Sequence, residues 1–189
     1  MFGAGDGAGF SGSPGKPFSI AQVQWSPMRA EGEIAGTYRL YGWNNAQAID
    51  FDESRARHAG LGISIDQRVG AQWNLFGRYG RRTSGRGSFD QALTVGFEHA
   101  GHRWGRANDA IGVALGRLST DDARFAAVPD PATAGSAAAG AEKIIEIFYR
   151  YALSDGIEIS PDFQIVRRPG GDAAAPSVRA FGLRARIAF

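Results

Sequence analysis

Residues 142–167 read EKIIEIFYRYALSDGIEISPDFQIVR and contain two runs in which apolar and polar side chains alternate. Ser154, Asp155 and Gly156 separate the two runs and are residue types typical of a tight turn. Successive side chains of a β-strand point to opposite faces of the sheet, so this alternation predicts two antiparallel strands. The stretch therefore indicates a β-hairpin with one apolar face and one polar face.

The same alternation recurs along the chain in segments of about ten residues, whereas helical periodicity is almost absent. This pattern predicts an all-β, antiparallel fold. Strands are expected at residues 18–26, 34–43, 59–69, 71–81, 90–100, 109–118, 142–153, 157–167 and 178–189. The Gly-rich residues 1–17 are predicted to form a loop or linker, and the Ala-rich stretch from Ala132 to Ala141 a flexible loop.

The composition limits the class of protein. The chain has 189 residues, 43% hydrophobic and 21% charged, with 21 basic and 19 acidic side chains, a size that suits one domain or one small membrane barrel. It has no cysteine, which excludes a disulfide scaffold and a thiolate metal site. No stretch approaches the ~18 consecutive apolar residues of a membrane-spanning helix. Residues 1–15 show no signal peptide, so we expect either a cytosolic chain or one whose true beginning is missing.

The connections between the predicted strands alternate in length. Shorter ones are expected at residues 27–33, 70, 101–108 and 154–156, and longer ones at 44–58, 82–89, 119–141 and 168–177. One end of the sheet would therefore carry tight turns and the other end loops. Outer-membrane barrels have this arrangement, with the short turns in the periplasm, and the pattern favours such a barrel.

The distribution of charges and aromatic side chains points the same way. A soluble β-sandwich also alternates, but it turns its apolar face inward. A lipid-facing Arg or Lys near the bilayer midplane costs about 2–4 kcal/mol, and the strand charges here fall on the parity opposite to the apolar residues. Residues expected on the outer, convex face include Ile145, Ile147, Leu183 and Ile187. Five aromatic residues also alternate with the polar side chains and lie near the tight turns: Trp25, Trp73, Tyr149, Tyr151 and Phe189. This is where an interfacial aromatic girdle is expected.

Several motifs occur in an order and spacing that resemble a known family. They are YRLYGWNN at residues 38–45, LFGRYG at 75–80, WGRAND at 104–109, EIFYRY at 146–151, PDFQ at 161–164 and RPGG at 168–171. Together they resemble the carbohydrate-selective outer-membrane porins of the OprB type. The resemblance covers most of the chain from about residue 18.

The resemblance implies a sixteen-strand barrel in the outer membrane of a Gram-negative bacterium, through which sugars diffuse. Because only nine strands are predicted and bacterial barrels have even strand numbers, we expect residues 18–189 to be the C-terminal part of such a barrel. The missing part would be N-terminal, with a signal peptide and about seven strands, as this family implies. The alternative is a closed eight-strand barrel in which the first segment does not span, with a binding or anchoring role and no conduction.

Parity assigns a polar wall to the inside of the barrel. The candidate pore-lining residues are Arg39, Tyr41, Trp43, Asp66, Arg78, Glu98, Glu146, Arg150, Glu158, Asp162, Arg184 and Arg186, with Arg68 on the same parity. Their mixed signs favour neutral, hydroxyl-rich solutes over strong ion selectivity. Arginine and carboxylate groups hydrogen-bond sugar hydroxyls, and Tyr41 and Trp43 offer flat faces to a pyranose ring.

Other partners follow from the membrane location. We expect contact with outer-membrane lipid, recognition of the strand ending at Phe189 by the barrel assembly machinery, and either a monomer or a homotrimer.

The sequence gives weak support to a metal site or a nucleic-acid site. His99 and His102 lack a third metal ligand nearby, and an acidic surface loop explains Asp50, Asp52 and Glu53 better than a calcium site does. The arginines at 81, 82 and 86 fit a cationic loop better than a nucleic-acid site. We therefore expect no catalytic residue, cofactor, metal or nucleic-acid partner.

Overall fold

A computed structural model describes residues 17–28, 34–50, 53–121 and 140–188. Within them, nine β-strands form one antiparallel sheet in which each strand pairs with its neighbours along the chain. The strands are β1 (Phe18–Trp25), β2 (Gly36–Ile49), β3 (Arg55–Val69), β4 (Trp73–Ser84), β5 (Phe89–Gly101), β6 (Arg106–Thr120), β7 (Ala141–Ser154), β8 (Ile157–Arg167) and β9 (Val178–Ile187). Single 3-10 turns lie at His102–Trp104 and Pro169–Gly171. The predicted all-β fold with consecutive antiparallel strands is confirmed.

Two of the predicted long loops are wrong, because the strands extend into them. Strand β2 continues to Ile49 and β3 begins at Arg55, so the loop predicted at 44–58 shrinks to 50–54. Strand β4 continues to Ser84, which shortens the loop predicted at 82–89 in the same way. These extensions are held by polar side chains: Arg57 Nε donates to Asn44 Oδ1 at 2.5 Å, and Arg55 Nη1 donates to Gln47 Oε1 at 3.1 Å.

Some predictions fall outside the described residues. These are residues 1–16 of the predicted linker, the Ala-rich loop up to residue 139, and the final residue Phe189. Ala141, placed in that loop by its composition, instead begins β7 and pairs with Ser119 of β6.

Burial in the sheet is the reverse of that in a soluble protein. Among the described residues, Ala110 and Ala141 are the hydrophobic side chains that are buried, and Asp109 is the largest side chain that is fully buried. Large apolar side chains are exposed instead, as expected for the outer face. Ile145, Ile147, Leu183 and Ile187 expose 40%, 47%, 74% and 68% of their surface. The described residues contain no closed apolar core between two sheets, which argues against the sandwich.

Cross-strand register defines two faces. Directly paired residues share a face, and Leu40, Ile63 and Tyr79 pair across β2, β3 and β4 on what we call the outer face. Arg39 and Ser64 pair on the opposite, inner face. Polar side chains on the inner face are mostly half-buried because they shield one another, as on the concave side of a curved sheet.

The two ends of the sheet differ in their connections. The connections at residues 70–72, 102–105 and 155–156 define what we call the turn end. The opposite, loop end contains the connections between β2 and β3, β4 and β5, β6 and β7, and β8 and β9. Within the described residues, β1 pairs with β2 alone and β9 with β8 alone, so the closed eight-strand barrel that would join β9 to β2 is not formed. The described residues include no helix of the length and apolarity that crossing a membrane requires.

Candidate pore lining

Asp66 lies between two arginines on the inner face, and we call these three residues the Asp66 cluster. Arg39 Nη1 donates to Asp66 Oδ2 at 3.0 Å from β2, and Arg78 Nη2 donates to Asp66 Oδ1 at 2.6 Å from β4. Arg39 Nε also donates to Gln24 Oε1 of β1 at 2.9 Å. One carboxylate therefore orients both guanidinium groups, which remain partly exposed with further donors available.

A second group of candidates surrounds a pocket of about 270 Å³ on β5 and β7 to β9, which we call the inner pocket. Its lining consists of Glu98, Glu146, Phe148, Arg150, Glu158, Ser160, Asp162, Arg184 and Arg186. The pocket thus gathers seven of the twelve residues that sequence parity assigned to the pore, together with Phe148 and Ser160, to which it gave no role. Its volume is close to the ~300–1,000 Å³ range of small-molecule sites.

The charges of the inner pocket are only loosely paired. Arg150 Nη2 lies 3.6 Å from Glu98 Oε2, and Arg186 Nη1 lies 3.5 Å from Glu158 Oε2. Arg150 Nε is buried and has no hydrogen-bond partner among the described residues. A solute in the pore cannot reach this buried atom, so the donors open to a solute are the other guanidinium N–H groups of the partly exposed Arg150 and Arg186 side chains.

The remaining candidates, Tyr41 and Trp43, lie on β2 and do not line the inner pocket. Both rings lie against glycines of the neighbouring strand β3. A Cβ on Gly60 would lie 2.7 Å from Trp43 Cε2, and a Cβ on Gly62 would overlap the Tyr41 ring. The structure therefore divides the candidates into a group on β2 to β4 and a group on β5 to β9, with the aromatic rings in the first.

One interaction cluster was missed by sequence analysis. Asp109 accepts hydrogen bonds from Arg106 Nε at 2.6 Å, Tyr149 Oη at 2.6 Å and the Ala152 backbone N–H at 3.0 Å. The Trp104 ring N–H donates to Tyr149 Oη at 3.0 Å. Asp109 lies on the apolar parity at the turn end, where alternation predicts an apolar side chain. The WGRAND motif contains Trp104, Arg106 and Asp109, but alternation gives no role to a carboxylate on the outer face.

Aromatic side chains form a row on the outer face at the turn end. The Trp25 and Tyr38 rings stack with centroids 5.2 Å apart. His99 lies between Trp73, at 4.4 Å, and Trp104, at 5.8 Å, so this buried histidine is a packing residue. The described residues hold no group of three or more potential metal ligands.

The other charged residues singled out in the sequence connect strands and loops. Asp50 binds the His58 ring and accepts the Arg86 backbone N–H at 3.1 Å, which joins the connection after β2 to the one after β4. Arg82 Nη2 donates to Asp121 Oδ2 at 2.7 Å. Asp52, named beside Asp50 and Glu53 in the sequence, lies outside the described residues.

A single antiparallel sheet that exposes its apolar face and holds opposed charges on the other is the arrangement found in the wall of an outer-membrane β-barrel. Residues 2–189 match the family described as carbohydrate-selective porin, OprB family. The chain belongs to this family, and its location is the outer membrane of a Gram-negative bacterium.

Solved structures show the same fold. A high-pH structure of Pseudomonas putida OprB is similar with a TM-score of 0.76 and 20% identity, covering 98% of this chain and 52% of that one. The outer-membrane channel DcaP of Acinetobacter baumannii is similar with a TM-score of 0.59 and 14% identity, covering 94% and 54%. The chain thus spans about half the length of the solved structures that it resembles. No curated protein matches it.

Proposed function

We propose that the inner face of this sheet lines a pore for the passive diffusion of small carbohydrates. The observation that carries the proposal is the inner pocket, which combines four carboxylates with three arginines. Such a lining offers acceptors and donors to hydroxyl groups, each of which both donates and accepts. The family description supports carbohydrate as the solute.

The pairing of charges favours neutral solutes in particular. Asp66 is shared by Arg39 and Arg78, whereas Arg150 and Arg186 each face a carboxylate. Opposite charges on strands one or two positions apart in the sheet cancel at a distance but hold the hydrogen-bonding groups in place. The rings of Tyr41 and Trp43 add flat apolar surface for the C–H face of a sugar.

Partners outside the pore belong to the same proposal. The exposed apolar side chains of the outer face contact outer-membrane lipid. The barrel assembly machinery recognises the C-terminal strand β9, and the protein functions as a monomer or a homotrimer. No catalytic residue is needed for passive diffusion.

Sugar flux through the full-length protein tests the function. Liposomes that contain the protein are expected to swell in monosaccharide solutions, and the swelling rate should fall as the sugar becomes larger. Control liposomes without protein should not swell. Absence of sugar-dependent swelling, with correctly inserted protein, would contradict carbohydrate diffusion.

Replacing Arg78 or Arg150 with alanine tests the lining. We expect faster passage of larger sugars and weaker preference among sugars, because each change removes a long side chain from the lumen. Bulk ion conductance should change less than it would for a ring of one sign. Thr94→Ala is the control, since Thr94 pairs with Arg78 on the same face but carries no charge. Unchanged sugar flux and selectivity in both arginine variants would show that these residues only solvate the lumen.

A further inference from the structure

The outer face carries a row of cations at the loop end of the sheet. Register places them on the outer face, because Arg81 pairs with Leu61, Arg117 with Leu93 and Arg179 with Ile165. This row, which we call the basic belt, consists of Arg81, Arg117, Lys143, Arg167 and Arg179. All five side chains are exposed, and none has an ion-pair partner among the described residues.

The centre of the basic belt brings like charges together. Arg117 is directly opposite Lys143, and Lys143 is directly opposite Arg167, on three successive strands. Like charges at directly paired positions destabilise a sheet. On the inner face, by contrast, arginines face carboxylates. The unbalanced arrangement on the outer face therefore favours an anion from outside the chain.

A shallow pocket of about 440 Å³ lies at this centre. Arg117, Lys143 and Arg168 contribute its charges and Ser119 and Thr120 its hydroxyl groups, and none of the described residues that line it is a carboxylate. Arg168 adopts a left-handed backbone conformation with φ of 55°. A non-glycine residue in this region is strained, and such strain occurs often at binding sites. Guanidinium, ammonium and hydroxyl groups together are suited to phosphate oxygens.

The location identifies the source of the phosphate. Arg81 is eight residues from Trp73 of the aromatic row along β4, which is about 26 Å of strand, or about 20 Å of height once a typical tilt is included. Leu75 and Tyr79 are exposed on the outer face between them. This height is of the order of the ~25 Å apolar band of a barrel, so the basic belt lies at the headgroup level of the leaflet opposite the turn end.

We propose that the basic belt binds the phosphate groups of the anionic glycolipid in the outer leaflet of the outer membrane, with the Arg117, Lys143 and Arg168 pocket as its principal site. Short turns in the periplasm place the loop end at the cell exterior, where this lipopolysaccharide lies. Basic residues near an anionic membrane surface bind its headgroups in this way. The proposal rests on the outer-membrane location and is independent of which solute crosses the pore.

The test compares lipopolysaccharide binding by the full-length protein and its variants in detergent. The double variant Arg117→Gln, Lys143→Gln is expected to bind roughly 30-fold more weakly, since each basic residue near an anionic surface contributes about fivefold. Arg103→Gln, which removes one exposed cation at the turn end, is the control and should bind as the parent does. Lys143→Arg keeps the charge and should retain binding. Heat-modifiable electrophoretic mobility checks that each variant is folded.

The source of the phosphate is tested separately. Dephosphorylated lipopolysaccharide should bind the parent as weakly as intact lipopolysaccharide binds the double variant, and millimolar inorganic phosphate should displace little intact lipid. Equal binding of folded parent and double variant would overturn the proposal. The proposal would also be overturned if Arg103→Gln lost as much lipopolysaccharide binding as the double variant, or if binding did not depend on lipid phosphorylation. Complete displacement of the lipid by inorganic phosphate would overturn it too, because it would indicate a site for free anions.

Discussion

Glycines on the inner face decide where the bulky side chains lie. Trp43 lies against Gly60 and Tyr41 against Gly62, and a Cβ on Gly112 would overlap the Phe148 ring. An aromatic ring from one strand thus covers the missing side chain of the next. Alternation in the sequence predicts which face a ring occupies, but its direction across the sheet depends on which partner residue has no side chain, and that requires the register.

Gly60→Ala is expected to destabilise the sheet and displace Trp43. The new Cβ would lie 2.7 Å from the Arg81 backbone oxygen and from the Trp43 ring, and overpacking of this kind costs about 1–3 kcal/mol. Gly77→Ala is the matched control, because a Cβ there meets nothing within 4 Å. Urea unfolding of the vesicle-bound protein, followed by tryptophan fluorescence, measures both. A Gly60→Ala protein as stable as the control would show that the backbones separate at little cost.

Strands β6 and β7 are joined beyond their regular ladder by the Asp109 carboxylate. Regular pairing at this end of the two strands stops at Ala110 and Arg150. Beyond that pair, Asp109 accepts the Ala152 N–H, and Arg106 Nη2 donates to the Ala152 carbonyl at 2.8 Å. Two side chains therefore replace the missing ladder hydrogen bonds at the turn end, and the Arg106 guanidinium lies 4.1 Å from the centroid of the Tyr151 ring.

Asp109→Ala is expected to loosen this end of β6 and β7. The change removes the acceptor of the Ala152 N–H and of Arg106 Nε, while Arg106 Nη2 keeps the Ala152 carbonyl, and an unsatisfied buried N–H destabilises a fold. Hydrogen exchange should rise at the Ala152 amide, and the urea midpoint should fall. Asp155→Asn, in the exposed turn between β7 and β8, is the control and should leave both unchanged. Equal exchange rates at Ala152 in the two variants would contradict the proposed role of Asp109.

The position of each strand was predictable, but the ends of several strands were not. Alternation located β8 at its observed bounds, whereas it ended β2 at residue 43, six residues before Ile49. Beyond the apolar band a strand needs no apolar side chains, so its sequence looks like a loop. In the structure, pairs such as Arg57 with Asn44 continue the ladder there.

Across the whole molecule, the separation of the two faces was predictable because lipid and water impose opposite requirements on alternate residues. Most of the charged candidates therefore lie together in the inner pocket or around Asp66. The prediction that strand charges lie opposite the apolar residues is wrong for the basic belt, whose members share the outer face with the apolar side chains at the loop end, beyond the apolar band. Only the register shows that Arg117, Lys143 and Arg167 are neighbours.

The direction of the apolar face can be tested with a single charge placed on either side of the sheet. Ile147 is 47% exposed on the outer face between Val113 and Phe163, and it lies along β7 between Lys143 of the basic belt and Tyr149 near the turn end. Ile147→Arg is expected to lower the free energy of unfolding from vesicles by about 2–4 kcal/mol, the cost of an arginine near the bilayer midplane. Gln164→Arg adds the same charge on the inner face, directly opposite Glu146. There the guanidinium is solvated by water and can form an ion pair with the Glu146 carboxylate.

We expect Gln164→Arg to fold with nearly unchanged stability and to shift ion selectivity towards anions. The free energy of unfolding in urea, measured for both proteins in the same vesicles, decides between the faces. If Gln164→Arg were the more destabilising of the two, the face that carries Ile147 would be the watery one, and the assignment of lipid to the outer face would be wrong. The burial pattern requires that Ile147→Arg lose more free energy of unfolding than Gln164→Arg, and that only Gln164→Arg change the anion preference. An arginine on the outer face is placed in lipid, whereas an arginine on the inner face is placed in the water of the pore.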